Sequence, residues 1–328
     1  MLASIANGAT TLRSGNHGDD VKAVQNALIQ LGYSVGPVGA DGIFGPDTAG
    51  AVARFQKARG RPPSGEVDRQ TLLLLDAALA TGLGPQLSQD YIVKPIADLR
   101  ALDARTEATA SDHDIRTVHP QEIGADIVTS GTFHTGHDPV GPLIQNGRWV
   151  TPGGWPHGRG GVAVLADGTV RTGFYSDPSE ATVRATFERP GNPIREFMGG
   201  GALIIEEGAP ASTQDLELRQ RFQGGAAAPQ FQPTARHTII AVHVDEKPYL
   251  VVDVGHKPLP AIQGDLVATG FRNAVMFDGG NAFGYEDAQG CLFGRIAGWQ
   301  STNLSAAEVA ALRGPHDVAL TGFAIRTG

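Results

Sequence analysis

The spacing of apolar residues changes once along this 328-residue chain, and that change limits what the chain can fold into. Up to about residue 80, apolar side chains recur every three or four positions, the period of a helix that buries one face. Val21, Val24, Leu28 and Leu31 form one stripe behind Asp19 and Asp20, which supply an N-cap, and Gly32 stops it. Pro46 suits the first turn of a second helix, whose apolar positions are Ala51, Val52 and Phe55. Asp68 caps a third, with Leu72, Leu75 and Leu79 on one face. Between the first two helices, the glycines of Gly39-Ala40-Asp41-Gly42-Ile43-Phe44-Gly45 mark a tight turn expected to throw Ile43 and Phe44 inward.

From about residue 113 the pattern becomes short apolar runs separated by turns. Val162–Leu165, then Asp167-Gly168, then Thr169–Thr172 reads as a hairpin. Thr238–Val244 and Tyr249–Val254 flank Asp245–Pro248 as another. Ala202–Ile205 and Ala274–Phe277 are further strands, and Ser305 caps a helix over 305–313. The 44 glycines and 21 prolines fit such a turn-rich body. The expected fold class is α+β, a small three-helix N-terminal bundle plus a larger mixed α+β domain built on twisted sheet. The expected boundaries are 10–80 for the bundle, 81–112 for a connector and 113–328 for the large domain. Within the connector, Ile96, Leu99 and Leu102 are spaced for a short helix over 96–109.

A net charge of −8 argues against a general nucleic-acid surface. No apolar run approaches the roughly 20 residues a membrane helix needs, so no membrane span is expected. Met1–Gly8 has neither a basic opening nor a long apolar core, so no secretory signal is expected there. The single cysteine, Cys291, has no intramolecular partner and reads as a structural thiol.

Four segments carry candidate chemistry. In Val275–Ala282 a buried strand ends in Asp278 and runs into Gly279, Gly280 and Asn281. A carboxylate held at a strand end is placed for catalysis, although the same pattern suits a turn aspartate that caps local amides. Arg236, just before the Thr238 strand, offers a planar fork for a phosphate or carboxylate, or is a surface arginine. Gly199, Gly200 and Gly201 precede a strand and suggest close backbone packing. The fourth segment is Ser130-Gly131-Thr132-Phe133-His134 with Pro139-Val140-Gly141 after it. His134, His137, His157, His243 and His256 do not form a recognised metal pattern, so no metal or other cofactor is expected. His134 is the histidine best suited to donate a proton near neutral pH.

The N-terminal residues resemble the bacterial peptidoglycan-binding domain of three-helix type. The resemblance runs through Leu12–Gly15, Gly18–Val21, Gln25–Leu28, Leu31–Tyr33, Asp41–Gly45, Thr48, Ala51-Val52, Phe55-Gln56, Gly60, Gly65–Asp68 and Thr71-Leu72. It implies binding rather than cleavage, by exposed groups beside the turn such as Tyr33, Asp41, Arg54 and Gln56.

The four later segments, in order over roughly 113–327, resemble the phosphodiester glycosidase family. This is the family of the enzyme that uncovers mannose 6-phosphate by removing a phosphate-linked N-acetylglucosamine. The counterparts are Ser130–Phe133, Pro139–Gly141, Gly199–Gly201 with Leu203–Gly208, Arg236–Thr238 and Phe277–Asn281. Ser130 stands where the family pattern has Asn, Asn281 often where it has a third glycine, and Ala241 replaces a glycine. The loop from Gly255 to Asp265 is shortened, which marks a remote member. The resemblance implies Asp278 as catalytic carboxylate and Arg236 as phosphate-binding cation, with His134 and Asp253 as further catalytic candidates. Substrate contact would fall to Gly279, Gly280, Asn281, Ser130, Thr132, Gly200 and Gly201. A second carboxylate is required of a two-carboxylate glycosidase, and Asp253, Glu196 and Asp138 are all open.

Together these readings imply a wall-targeted hydrolase acting on a glycosidic or sugar-phosphodiester bond in the periplasm or cell wall. The alternative is a non-catalytic wall anchor whose large domain is a degenerate sugar-binding scaffold. Partners would be peptidoglycan or attached wall glycopolymers. A specialised export route or lysis would deliver an antibacterial effector or phage lysis protein, with a delivery apparatus or an immunity protein as further partners. Deleting residues 1–80 should abolish sedimentation with purified wall while turnover of a small soluble substrate survives. A truncated chain that still pellets fully would contradict this division.

Overall fold

In a computed structural model, the chain is described over residues 11–59, 61–81, 85, 87–135, 138–228, 231, 236–244, 246–254, 257–279, 282–294, 298–301, 304–312 and 318–327. It divides into two compact units. One is residues 1–89 with 243–247 and 264–272; the other is the remainder.

The first unit contains α1 (Asp19–Gln30), α2 (Pro46–Ala58) and α3 (Arg69–Thr81). Their apolar stripes meet in one core that includes Val21, Leu28, Phe44, Val52, Phe55, Leu72 and Leu75. Gly18 is the N-cap of α1, with Asp19 and Asp20 in its first turn, where carboxylates complement the helix dipole. Pro46 opens α2 as expected. The Asp68 carboxylate accepts from the Thr71 amide at 2.7 Å ahead of α3. The Arg61 guanidinium pairs with it twice, at 2.8 and 2.9 Å, and holds its pKa well below the usual carboxylate range. One expectation fails at the turn: Phe44 is buried, but Ile43 is 59% exposed. Adjacent residues in an extended turn point to opposite sides, so only one of the pair can reach the core.

Two buried glutamines tie loops to helix starts in this unit. Gln25 Nε2 donates to Asp41 Oδ1 at 2.9 Å, Ile43 O at 3.0 Å and Thr48 Oγ1 at 3.0 Å, and its Oε1 accepts from the Gly42 amide at 2.7 Å. Gln56 repeats the scheme with Ser64 Oγ, the Glu66 carbonyl and Thr71 Oγ1, accepting from the Gly65 amide.

The second unit is built on sheet. Its strands in chain order are β1 (Tyr91–Pro95), β2 (Asp98–Asp103), β3 (Ile127–Ser130), β4 (His134–Thr135), β5 (Asp138–Pro139), β6 (Leu143–Gln145), β7 (Arg148–Thr151), β8 (Arg159–Leu165), β9 (Val170–Tyr175), β10 (Ile194–Glu206), β11 (Ala209–Pro210), β12 (His237–His243), β13 (Pro248–Asp253), β14 (Phe271–Gly279), β15 (Gly284–Asp287), β16 (Gly290–Phe293) and β17 (Thr321–Arg326). A ten-stranded sheet runs β1-β13-β12-β14-β10-β6-β7, with β8 and β11 also on β10 and β9 on β8. A five-stranded sheet runs β16-β15-β3-β17-β2. The main core joins residues of both, including Leu203, Ile240, Val275 and Phe277 from the first and Leu99, Ile127, Phe323 and Ile325 from the second. Helices α4 (Glu180–Phe187), α5 (Leu259–Ala268) and α6 (Ala306–Leu312) complete the mixed α+β fold.

The two expected hairpins are β8–β9 and β12–β13. The helix expected over 96–109 is not formed; Asp98–Asp103 is a strand instead. Leu99 and Ala101 enter the main core while Leu102 joins a separate cluster with Ile115 and Val128. A strand buried on both faces lacks clean alternation, so its apolar spacing imitates a helix.

Gln25→Ala should lower the unfolding free energy of the helical module by about 2–3 kcal/mol, because it orphans a buried amide and leaves Thr48 and Asp41 unbridged. Gln30→Ala, on the exposed side of α1, should stay within about 0.5 kcal/mol. Denaturant titration followed by circular dichroism measures both.

Candidate functional site

The candidate site lies where several strands of the second unit end together. Asp278 and Gly279 close β14, Asp253 closes β13 and Arg236 immediately precedes β12. Asp253 pairs with His237 across β13–β12. A Cβ on Gly279 would overlap the Arg236 carbonyl and touch the His237 ring, so β14 and the start of β12 meet backbone to backbone. The Asp278 amide donates to the Gly131 carbonyl at 2.9 Å, which ties β14 to the end of β3. The Asp278 carboxylate accepts from the Gly279 amide at 2.7 Å and is half-buried. This is the strand-end carboxylate expected from sequence, held by a fixed main chain and still reached by solvent.

Arg236 is buried, not a surface arginine. Its Nη1 faces the carbonyls of Phe293 and Gly294 at 3.5 and 3.4 Å. Burial lowers its pKa, and the Asp253 charge works against that shift. Asp253 is fully buried and accepts from the Lys257 amide at 3.1 Å. The other open carboxylates are engaged elsewhere. Glu196 is buried, accepts from the Ala101 and Asn146 amides at 3.2 Å each, and has its pKa raised by burial. Asp138 is exposed and lies 3.5 Å from Arg105.

Beside Asp278, Gly131 continues into Thr132, whose amide donates to Thr321 Oγ1 at 3.0 Å. A Cβ on Gly200 would collide with Thr132 Oγ1, and Gly200 holds φ +87°, a conformation that suits glycine. The Gly200 amide donates to the Tyr175 hydroxyl at 2.9 Å. Gly201 lies against the Met276 carbonyl and the Phe277 ring. The glycine run therefore sits where β10 changes partner from β6 and β8 to β14. Ser130 is present but committed: its hydroxyl donates to the Ala282 carbonyl at 2.9 Å and accepts from the Gly284 amide at 2.7 Å. That exchange suits a buried fastener more than a substrate contact.

His134 lies in β4. Gly280, Asn281, His137 and His256 fall outside the described residues. His243 bonds the Thr269 carbonyl at 3.3 Å, and His157 is exposed at the edge of Trp155. Among the described residues no group of three or more His, Cys, Asp or Glu is arranged to hold a metal. Cys291 is buried, donates to the Ser301 carbonyl at 3.0 Å and has its pKa pushed up to about 12 by burial and the Glu286 charge, which disfavours the thiolate and fits the structural thiol expected from sequence.

Sequence reasoning missed Arg159. It is the first residue of β8, only 6% exposed, with its guanidinium 3.9 Å over the Phe222 ring and 5.0 Å over Trp155. Its flanking glycines, Gly158 and Gly160, resemble those of a turn, and the aromatic that stacks on it most closely is far away in sequence. A stacking partner that distant cannot be inferred from the local pattern.

In the first unit, the expected binding residues divide. Asp41 is exposed, accepts from the Ile43 amide and Gln25, and has its pKa lowered by those bonds. Arg54 is half-buried and donates to the Ser34 carbonyl at 2.8 Å. Tyr33 and Gln56, expected to be exposed, are both buried. Tyr33 packs edge-on against Phe55 at 5.5 Å, and Gln56 spends its amide on Ser64, Glu66 and Thr71.

The class this architecture defines is a small helical module joined to a sheet domain with a carboxylate and buried arginines at its strand ends. Comparison with known families matches both parts: residues 17–75 match the model of the peptidoglycan binding domain and residues 123–285 that of the phosphodiester glycosidase family. Among curated proteins, the chain is 45% identical over 85 residues to the type VI secretion system spike protein VgrG3 of Vibrio cholerae, covering 23% of this chain and 8% of that protein. It is 37% identical over 73 residues to a Bacillus licheniformis protein named as a probable N-acetylmuramoyl-L-alanine amidase, covering 22% of this chain and 21% of that one. The chain thus spans a small part of the curated relatives it matches first. Among solved structures, the zebrafish N-acetylglucosamine-1-phosphodiester alpha-N-acetylglucosaminidase catalytic domain aligns with 70% of this chain and 73% of its own at 15% identity and a TM-score of 0.47. No helix among the described residues is long and apolar enough to cross a membrane.

Proposed function

We propose that this protein is a cell-wall hydrolase whose helical module holds peptidoglycan and whose sheet domain cleaves a sugar–phosphodiester or glycosidic bond in wall polymers. The observation that carries the reading is the backbone contact of Gly279 with the Arg236 carbonyl, which sets the chain positions of Asp278 and Arg236 side by side, on a stretch matching the phosphodiester glycosidase family. A carboxylate and a buried guanidinium on adjacent strands match the two charges of this chemistry. The anomeric carbon gains positive character as the phosphate leaves with the bonding electrons. Asp278 stabilises that oxocarbenium-like centre or takes the proton of the attacking water. Water then supplies the new anomeric hydroxyl, and the phosphate departs as a monoester. Because a phosphate monoester is a tolerable leaving group, this step relies less on a strong general acid than cleavage to an alkoxide does. Asp253, buried beside Arg236, keeps that cation charged and oriented, and is the second carboxylate best placed to serve the site.

The module concentrates the chemistry on its substrate by tethering. Exposed Asp41 and half-buried Arg54 are the wall-binding groups in this reading. The protein acts in the periplasm or wall, delivered by a specialised apparatus or by lysis, as an antibacterial effector or a phage lysis protein. The similarity to a secretion-system spike protein supports the first route.

Incubating the chain with purified peptidoglycan and with a sugar 1-phosphodiester, then reading products by mass spectrometry, tests the proposal. Wild type should release product, and Asp278→Asn should lower turnover by at least about a hundredfold with an unchanged melting profile. No product from either substrate, with sedimentation onto wall retained, would leave an anchor rather than an enzyme.

A further inference from the structure

We infer that Arg159, stacked on Trp155 and Phe222, is the main cation that receives the phosphoryl group of the substrate, with Arg236 in a supporting place. This rests on the sugar–phosphodiester reading of the site and names its anion subsite. Arg159 is a guanidinium almost wholly removed from water, yet no carboxylate pairs with it among the described residues. Its Nε is buried without a hydrogen-bond partner. Burial lowers its pKa to about 10, so it keeps its charge at neutral pH. An unpaired buried charge is costly to keep, and cation–π stacking on two aromatic faces offsets part of that cost.

The position ties this charge to the site. The Trp155 amide donates to the Val140 carbonyl at 3.1 Å, and the Val140 amide donates to the Phe133 carbonyl at 2.7 Å. Phe133 in turn packs on Phe222 at 5.9 Å. Thr132, next to Phe133, presents a second buried and unpartnered polar atom, Oγ1, against Gly200. One residue further back, the Gly131 carbonyl holds the Asp278 amide. Arg159 and Thr132 therefore border the same loops that position the carboxylate, and both have hydrogen-bonding capacity unused by the protein. Arg236 Nε is likewise buried without a partner, but its Nη1 already faces two carbonyls and its charge is compensated by Asp253, whereas Arg159 has neither. A planar fork with an unused N–H, on the same set of loops as an unused hydroxyl, suits a tetrahedral oxyanion on a sugar.

The test titrates the full chain with N-acetylglucosamine 1-phosphate and with N-acetylglucosamine by calorimetry. Wild type should bind the phosphorylated sugar at least about tenfold more tightly. Arg159→Met should abolish that preference while its melting temperature stays level or rises, because the variant removes an uncompensated buried charge. Arg159→Lys, which keeps the charge but loses the fork, should lose most of the preference. Equal wild-type affinity for the two sugars, a preference retained in either variant, or a lowered melting temperature in Arg159→Met would overturn the assignment. Turnover of a sugar 1-phosphodiester by wild type is read in parallel. Turnover with Arg159-independent binding sinks this inference alone. Arg159-dependent binding without turnover sinks the catalytic reading alone.

Discussion

Main chain lies directly on main chain at the end of the large sheet, and the site depends on those contacts leaving no room for side chains. A Cβ on Gly279 would enter the Arg236 carbonyl, and one on Gly141 would enter the backbone of Gly199 and Gly200. A Cβ on Gly160 would come within 2.6 Å of the Leu203 amide nitrogen. Glycine is what lets backbones approach this closely. The result is mechanical: β14, β3, β10 and the start of β12 are pinned to one another through rigid backbone, and the carboxylate on β14 inherits that rigidity. Such a site is held by the scaffold rather than by the loops around it.

The same constraint explains how the sheet manages its long central strand. β10 pairs with β6 and β8 through its first half and with β14 through its second. The glycines between those halves allow the register to shift without expelling a side chain into a neighbour. Arg159 opens β8, whose Gly160 pairs with Gly201 at this junction, and Arg236 precedes β12 against Gly279 of β14. The Asp253 charge compensates one of these buried cations and aromatic faces stack on the other.

Much of this was legible in the sequence, and the reasons differ by element. The hairpins at β8–β9 and β12–β13 are local, so turn chemistry and short apolar runs located them. The three helices were legible because each buries one stripe. Asp278 was legible as a strand-end carboxylate because its strand is apolar and the glycines follow at once. The strand Asp98–Asp103 was not, because Leu99 and Leu102 serve different cores and their spacing imitates a helix. Tyr33 and Gln56 looked exposed because they are polar, yet Gln56 is buried by hydrogen bonds that only the folded loops supply. The stacking of Arg159 on Phe222 joins distant segments, and no local pattern records it.

Everything proposed for the sheet domain turns on one event, the breaking of the anomeric carbon–oxygen bond of a phosphate-linked sugar. Hydrolysis of a sugar 1-phosphodiester in ¹⁸O-enriched water, with mass spectrometry of both products, tests it most directly. The label should appear in the anomeric hydroxyl of the released sugar and not in the phosphate. Label in the phosphate would show attack at phosphorus and would contradict the proposed roles of Asp278 and the buried arginines.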